Sequence, residues 1–488
     1  MIVQRCFLTG LMICLNLWYV SAQQRPNVIL IYADDLGFGD LGCYGATHIQ
    51  TPNTDALAEQ GIRFTNAHST SATCTPSRYA LMTGVYPWRE KGHNILPGDA
   101  ALIVPVNRIT LPKVFKQAGY QTGIVGKWHL GLGDQVEKNW NGRITPGPNE
   151  TGFDYSFIFP ATADRVPTVF MENGKVTGLS KKDTITVNYK RKIGDEPTGK
   201  ENPELLKLRA SHGHNNTIIN GIGRIGFMTG GKKARWTDEE VGPTFLAKAQ
   251  QFIDKNKHRP FFLYFALNNI HVPRMPATMF KGKSTMGYRG DAILEMDWIV
   301  GAIRKQLEQS GIAKNTIIIF SSDNGPVLDD GYADEAVEKV GTHRPAGPLR
   351  GWKTSIYEGG TRVPFIVYWP GKVKAGVSDA LISQMDLLPS FAAYLKVRIP
   401  KGAASDAEDH ILALTGKDPK GREQLVEEGY HNLAILKRGW KYIPASKNKA
   451  EQLFYLTRDI SEARELSKEY PEKAAALRGA LDAIKGNQ

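Results

Sequence analysis

The sequence predicts an α/β protein, a large and mostly parallel sheet sandwiched by helices. A small C-terminal α+β subdomain follows, made of a short antiparallel sheet and one helix. Three observations predict this. Continuous apolar, β-branched or aromatic runs such as Asn27–Ala33, Pro260–Ala266 and Thr316–Ser322 read as strands buried on both faces. Helical segments with cap and glycine signals alternate with them. Beyond Lys401 the runs shorten to Leu433–Leu436, Trp440–Ile443 and Gln452–Tyr455, and a helix opens after Pro471.

In chain order, Arg5, the apolar run Cys6–Trp18 and the small-residue site Val20-Ser21-Ala22 read as an export signal over 1–22. Export implies a periplasmic or extracellular location, or a lysosomal or secretory one in a eukaryote. Removing the signal leaves Cys43 and Cys74, which permit one disulfide. The body of the chain spans 23–400 and the C-terminal subdomain 401–488. Asn27–Ala33 ends in Asp34-Asp35. Asn53–Gly61 is a helix with a glycine stop, followed by the strand Ile62–Thr65. Thr110 caps a helix that stops at Gly119, and the strand Thr122–Gly126 delivers Lys127-Trp128-His129. From about 133 to 233 the pattern breaks into an irregular insertion whose one clear cue is a hairpin turning at Asn173-Gly174. Gly221–Gly226 matches G-x-G-x-x-G, but no strand precedes it, so no dinucleotide site is expected. Thr237-Asp238-Glu239-Glu240 reads as a capping box opening a helix through Phe245 and Phe252. Pro260–Ala266 leads to His271, and Thr316–Ser322 leads to Asp323-Asn324.

Composition bounds the function. With 41% hydrophobic and 23% charged residues the chain is globular, and no internal stretch is apolar enough for a membrane span. A formal charge of +12 on an exported protein points to polyanionic glycans rather than nucleic acid.

Three strand ends carry one kind of group: Asp34 and Asp35, His271, and Asp323 with Asn324. Oxygen ligands suit a hard cation, Ca²⁺ or Mg²⁺, rather than Zn²⁺. Cys74-Thr75-Pro76-Ser77-Arg78 puts a thiol at a helix start, where free N–H groups and Arg78 favour an anion. Taken singly, each feature is also what an ordinary strand-end turn or buried cysteine offers. Their convergence on one sheet edge marks a site.

This stretch, with its tail Leu81-Met82-Thr83-Gly84, resembles the signature of type I, formylglycine-dependent sulfatases of the alkaline-phosphatase-like superfamily. The resemblance runs from Pro26-Asn27-Val28-Ile29 to Leu453-Phe454-Tyr455-Leu456 and the stretch from Asp459 to Leu466. Gly126–His129, His271-Val272-Pro273 with Pro276, and Leu349–Lys353 match further family segments. It implies a large mixed, mostly parallel sheet and a maturase that converts Cys74 to Cα-formylglycine (3-oxoalanine). Cys43 is then left as a small buried apolar residue. It also implies one calcium ion, magnesium being the lesser fit, held by Asp34, Asp35, Asp323, Asn324 and the modified Cys74. The ion, Lys127 and Lys353 would grip the sulfate, while Arg78 and His129 hold the hydrated aldehyde. One of its hydroxyls attacks sulfur, giving a covalent sulfate intermediate. His271 with Lys353 would protonate the leaving alcohol, and His129 would deprotonate the second hydroxyl so that sulfate is expelled.

Asp164, Arg165, His212 and His214 in the insertion, and Arg274 beside the histidine segment, are candidate substrate-binding groups. The expected activity is hydrolysis of O-sulfate esters on a sulfated polysaccharide or its oligosaccharides. A phosphodiesterase or phosphonate monoester hydrolase on the same scaffold, and a non-catalytic glycan-binding relative, are the alternatives.

Overall fold

The computed structural model describes residues 25–486 apart from 91, 93, 136 and 448, so the export signal lies outside the described residues. Its centre is a ten-stranded mixed sheet. In chain order its strands are β1 (Asn27–Ala33), β2 (Ile62–Phe64), β3 (Gln121–Lys127), β4 (Tyr155–Phe159), β5 (Met171–Glu172), β6 (Lys175–Val176), β7 (Phe261–Ala266), β8 (Thr316–Ser322), β9 (Phe365–Tyr368) and β10 (Gly376–Ser378). Across the sheet they run β10-β2-β9-β8-β1-β7-β3-β4-β5-β6. The five strands from β8 to β4 are mutually parallel, and antiparallel strands extend both edges. Register decides what this does for function. Ala33 lies opposite Ser322, Tyr32 opposite Ala266, and Ala266 opposite Gly126. The C-terminal ends are therefore flush, and the residues that follow emerge side by side.

Alternation along β1 divides the core. Val28, Leu30 and Tyr32 pack with helices α2 (Cys74–Thr83), α3 (Leu111–Gln117) and α6 (Leu387–Leu395). Ile29, Ile31 and Ala33 pack with α1 (Pro52–Gln60), α4 (Val241–Asn256) and α5 (Gly287–Gln309) on the other face. Burial on both faces is why these strands read as unbroken apolar runs.

Local grammar holds at some ends and fails at others. The Thr110 side chain accepts from Lys113 N at 3.4 Å, and Gly119 is left-handed, as read from the sequence. Gly61 closes α1 in an extended conformation instead; a Cβ there would lie 2.4 Å from the Val367 carbonyl oxygen, so close packing and not handedness requires glycine. The capping box at Thr237 does not form. A 3₁₀ turn over Asp238–Glu240 precedes α4, the Thr237 side chain makes no cap bond, and the Asp238 carboxylate pairs with Arg224 at 2.6 and 2.9 Å.

The C-terminal sheet holds four antiparallel strands: β11 (Gln424–Glu428), β12 (Leu433–Lys437), β13 (Trp440–Ile443) and β14 (Gln452–Tyr455). The first was not anticipated. Helix α7 (Pro471–Gly486) packs on this sheet, which also touches Ala80 of α2. Cys43 is unpaired and only half-buried, not fully buried as expected. No helix among the described residues is long and apolar enough to cross a membrane.

Candidate active site

The flush strand ends gather one buried cluster of charge. Asp34 and Asp35 leave β1, Asp323 and Asn324 leave β8, Lys127 ends β3, His271 follows β7, and Cys74 is the first residue of α2. All of them are buried. The backbone is forced at Asp35, with φ 59°, and at the buried His129 two residues beyond Lys127, with φ 56°, a region L-residues seldom occupy and one concentrated at functional sites. Gly126 permits the approach of Lys127, since at φ 116° a Cβ would sit 1.8 Å from the Ala266 carbonyl oxygen.

The Lys127 ammonium donates to both Asp34 oxygens at 2.7 and 2.8 Å. Lys353 donates to Asp35 at 2.9 Å and to Asp330 at 2.7 Å. Arg78 spends Nε and Nη2 on Asp323 at 3.0 and 2.8 Å and Nη1 on the Tyr264 hydroxyl at 3.1 Å. Its guanidinium thus anchors Asp323 within the cluster and lies 3.6 Å from Asp34. Burial, reinforced by Asp323, pushes Asp34 well above the usual carboxylate range. Against the cost of burial, Arg78 and Lys127 hold Asp323 below it.

The histidines are fixed at one nitrogen each. His129 Nε2 lies 2.9 Å from the Leu96 carbonyl oxygen, which only an N–H can satisfy, so Nδ1 carries the lone pair and is buried without a partner. His271 Nδ1 likewise donates to the Val272 carbonyl at 2.7 Å, leaving Nε2 3.9 Å from Asp35. Burial, then neighbouring lysines, keeps both imidazoles well below the usual histidine range. Burial also raises the Cys74 thiol, which feels the charges of Lys127, Lys353, Asp323 and Asp34.

A cation fits this donor set. Asp34, Asp35 and His271 bring ligand atoms within 4.8 Å of one another. Asn324 Nδ2 donates to Asp35 at 2.8 Å and to the Gly325 carbonyl at 2.9 Å, while its Oδ1 is buried with no hydrogen-bond partner. An amide oxygen without a partner beside three carboxylates is the chemistry of a hard divalent ion.

The insertion supplies the rim. Asp164 accepts from Arg165 at 2.9 Å and pairs with His214 Nε2 at 3.0 Å. Burial opposes the charge on Asp164, yet Arg165 and His214 hold it well below its ordinary value, and against burial its bond raises His214. His212 points outward, its side chain 65% exposed, 3.7 Å from Asp329. Arg274 corrects the sequence reading. It is fully buried and spends four of its five N–H donors on the Ile270, Val327 and Leu328 carbonyls and on Asp334 at 2.6 Å, so it braces two loops. Asp330, the second partner of Lys353, was missed. Its one sequence signal is the acidic pair Asp329-Asp330 ahead of Gly331, shortly after Asp323-Asn324.

Comparison with known proteins places this arrangement. The family model described as Sulfatase matches residues 26–397. An N-acetylgalactosamine-6-O-sulfatase of Bacteroides thetaiotaomicron is 51% identical over 477 residues, covering 95% of this chain and 93% of that protein. Human arylsulfatase A is 31% identical over 407 residues, 82% of this chain and 70% of its own. A solved structure described under metabolism of multiple glycosaminoglycans by Bacteroides thetaiotaomicron superposes with a TM-score of 0.94 at 51% identity, over 95% of this chain and 100% of that one.

Proposed function

The chain belongs to the sulfatase family and hydrolyses sulfate esters, and from that premise we propose that it removes 6-O-sulfate from N-acetylgalactosamine units of an exported or extracellular sulfated polysaccharide or its oligosaccharides. The observation that carries the mechanism is the meeting of Lys127, Lys353, His129, His271 and the Cys74 helix start around one edge of carboxylates. The sugar assignment leans on the Bacteroides relative, and the basic charge of the chain suits a polyanion.

Conversion of Cys74 to formylglycine by a maturase supplies the nucleophile, a hydrated aldehyde. Asp34, Asp35, Asp323, the Asn324 Oδ1 and position 74 would hold a calcium ion, which would supply a Lewis acid toward the sulfate; magnesium fits this set less well. Lys127 and Lys353 hold the sulfate oxygens and stabilise the charge that shifts among them. Arg78 keeps Asp323 oriented. His129, with Nε2 fixed by Leu96, offers the Nδ1 lone pair as the base for the hydroxyl at position 74. His271 with Lys353 serves the departing alcohol oxygen: Nε2 bears the lone pair in the resting site, so the proton that the alcohol takes up originates on the Lys353 ammonium and His271 relays it. Asp164, Arg165 and His214 read the sugar hydroxyls, with His212 farther out.

The test is a panel of defined substrates read by product mass and NMR. N-acetylgalactosamine 6-sulfate should lose sulfate faster than its 4-sulfate isomer and far faster than an aryl phosphate diester is cleaved. Preference for the diester would overturn the reading in favour of a phosphodiesterase.

A further inference from the structure

Beside the active-site rim lies a second cavity that the mechanism does not use. It is a groove of about 610 Å³, within the roughly 300–1,000 Å³ of small-molecule sites. Pro326, Leu328, Asp329, Arg344, Pro348 and Trp352 line it. Trp352 is 67% exposed, more than any other large apolar side chain among the described residues. An indole held open to water beside a catalytic lysine loses hydrophobic free energy unless something covers it.

The groove is built from chain segments that also carry site residues. Trp352 precedes Lys353, and the Lys353 N–H donates to the Pro326 carbonyl at 2.9 Å, tying the indole's strand of chain to the groove wall. Asp329 edges the groove, while the next residue, Asp330, pairs with Lys353 at 2.7 Å. The Ser211 hydroxyl donates to Asp329 at 2.6 Å, joining the same edge to the loop that carries His212 and His214. Arg344 is exposed on the groove and makes no ion pair among the described residues. A flat apolar face, a cation with no ion pair among the described residues and walls whose next residues, Lys353 and Asp330, belong to the site select one kind of occupant.

We propose that this groove is a subsite for the sugar next to the sulfated one, a proposal that rests on the carbohydrate sulfatase reading above. The pyranose C–H face lies on Trp352, as aromatic rings accept apolar faces. Arg344 pairs with a carboxylate or sulfate on that neighbouring sugar. The groove thereby makes the protein prefer an anionic chain over an isolated sulfated monosaccharide.

Binding is measured by calorimetry in a Cys74→Ala background, which separates it from turnover. The probes are N-acetylgalactosamine 6-sulfate and a trisaccharide carrying it at the non-reducing end, followed by a uronate. The trisaccharide should bind about tenfold or more tightly than the monosaccharide, and Trp352→Ala should remove about tenfold of that ratio, the scale of one anchoring aromatic. Arg344→Ala should lower the ratio as well and weaken its dependence on salt. A ratio untouched by Trp352→Ala overturns the subsite. If that variant instead abolishes a dimer in sedimentation, the groove belongs to a second copy of the chain. A ratio untouched by Arg344→Ala overturns the charge pairing. Turnover of the same probes by the intact enzyme tests the sulfatase substrate reading separately.

Discussion

Glu295 of α5 shows how one buried side chain can pin the loop that carries a site residue. Its Oε2 accepts from Asn269 Nδ2 at 2.7 Å and its Oε1 from the Ala277 N–H at 3.2 Å, so it brackets the loop that carries His271. A cavity of about 20 Å³ lies against it, shared with Asn268 and Pro273. Burial pushes its carboxyl up to about 7, against the pull of those two bonds. The sign follows. Below the unfolded value of roughly 4.3 both states are protonated. As pH rises toward 7 the unfolded chain ionises while the folded one keeps its proton, so folding stability is lost across that window. Unfolding free energies from urea titrations at several pH values should therefore fall in the wild type relative to Glu295→Gln, by on the order of 3 kcal/mol between pH 4.5 and 7. Parallel curves for the two proteins would contradict the assignment. Arg274 teaches the complementary lesson. Its neighbours in sequence suggested a ligand-facing cation, but the direction of a long side chain is set by packing, and three carbonyls with Asp334 claim it.

At the scale of elements, what was legible in the sequence is what burial writes into it. β1, β7 and β8 are covered on both faces and so appear as uninterrupted apolar runs, and their polar termini announced Asp34, Asp35, His271, Asp323 and Asn324. The start of α2 at Cys74 could be read from Pro76 and the hydroxyl-rich approach. The rest depended on contacts that a linear pattern does not carry. Whether β9 pairs antiparallel to β8 is decided by the route of the chain between them, and β11 shows itself only where it meets β12. Thr237 had the right grammar for a cap, yet the chain there forms a 3₁₀ turn and its side chain makes no cap bond. Asp330 was hidden for the same reason: a loop acid becomes part of the site only because Arg274 and the Pro326 carbonyl hold that loop over Lys353.

At the scale of the whole molecule, the C-terminal sheet is bound to the active-site loops through buried charge. Lys441 of β13, fully buried, lies 2.8 Å from Glu358, 3.2 Å from Glu427 and 3.4 Å from Glu462, and Glu427 pairs with His68 at 2.7 Å. The backbone completes the link. The Glu428 N–H donates to the Thr70 carbonyl and the Ala72 N–H to the Glu428 carbonyl, while the Thr354 N–H donates to the Ala72 carbonyl at 2.7 Å. Thr354 is thereby held at φ 73°, directly after Lys353. The small sheet thus fixes the approach to Cys74 and the loop of Lys353 at once. Replacing Lys441 by Met leaves three buried acids without their shared cation and should cost about 3–5 kcal/mol in urea unfolding. An unchanged midpoint would show the cluster to be neutral in the fold. The central claim is that chemistry starts at position 74, and sulfate release from N-acetylgalactosamine 6-sulfate, by wild type and Cys74→Ala matched for thermal unfolding, tests it most directly. The account predicts an intact fold with turnover reduced on the order of a thousandfold or more; a folded Cys74→Ala variant that releases sulfate at the wild-type rate would contradict it.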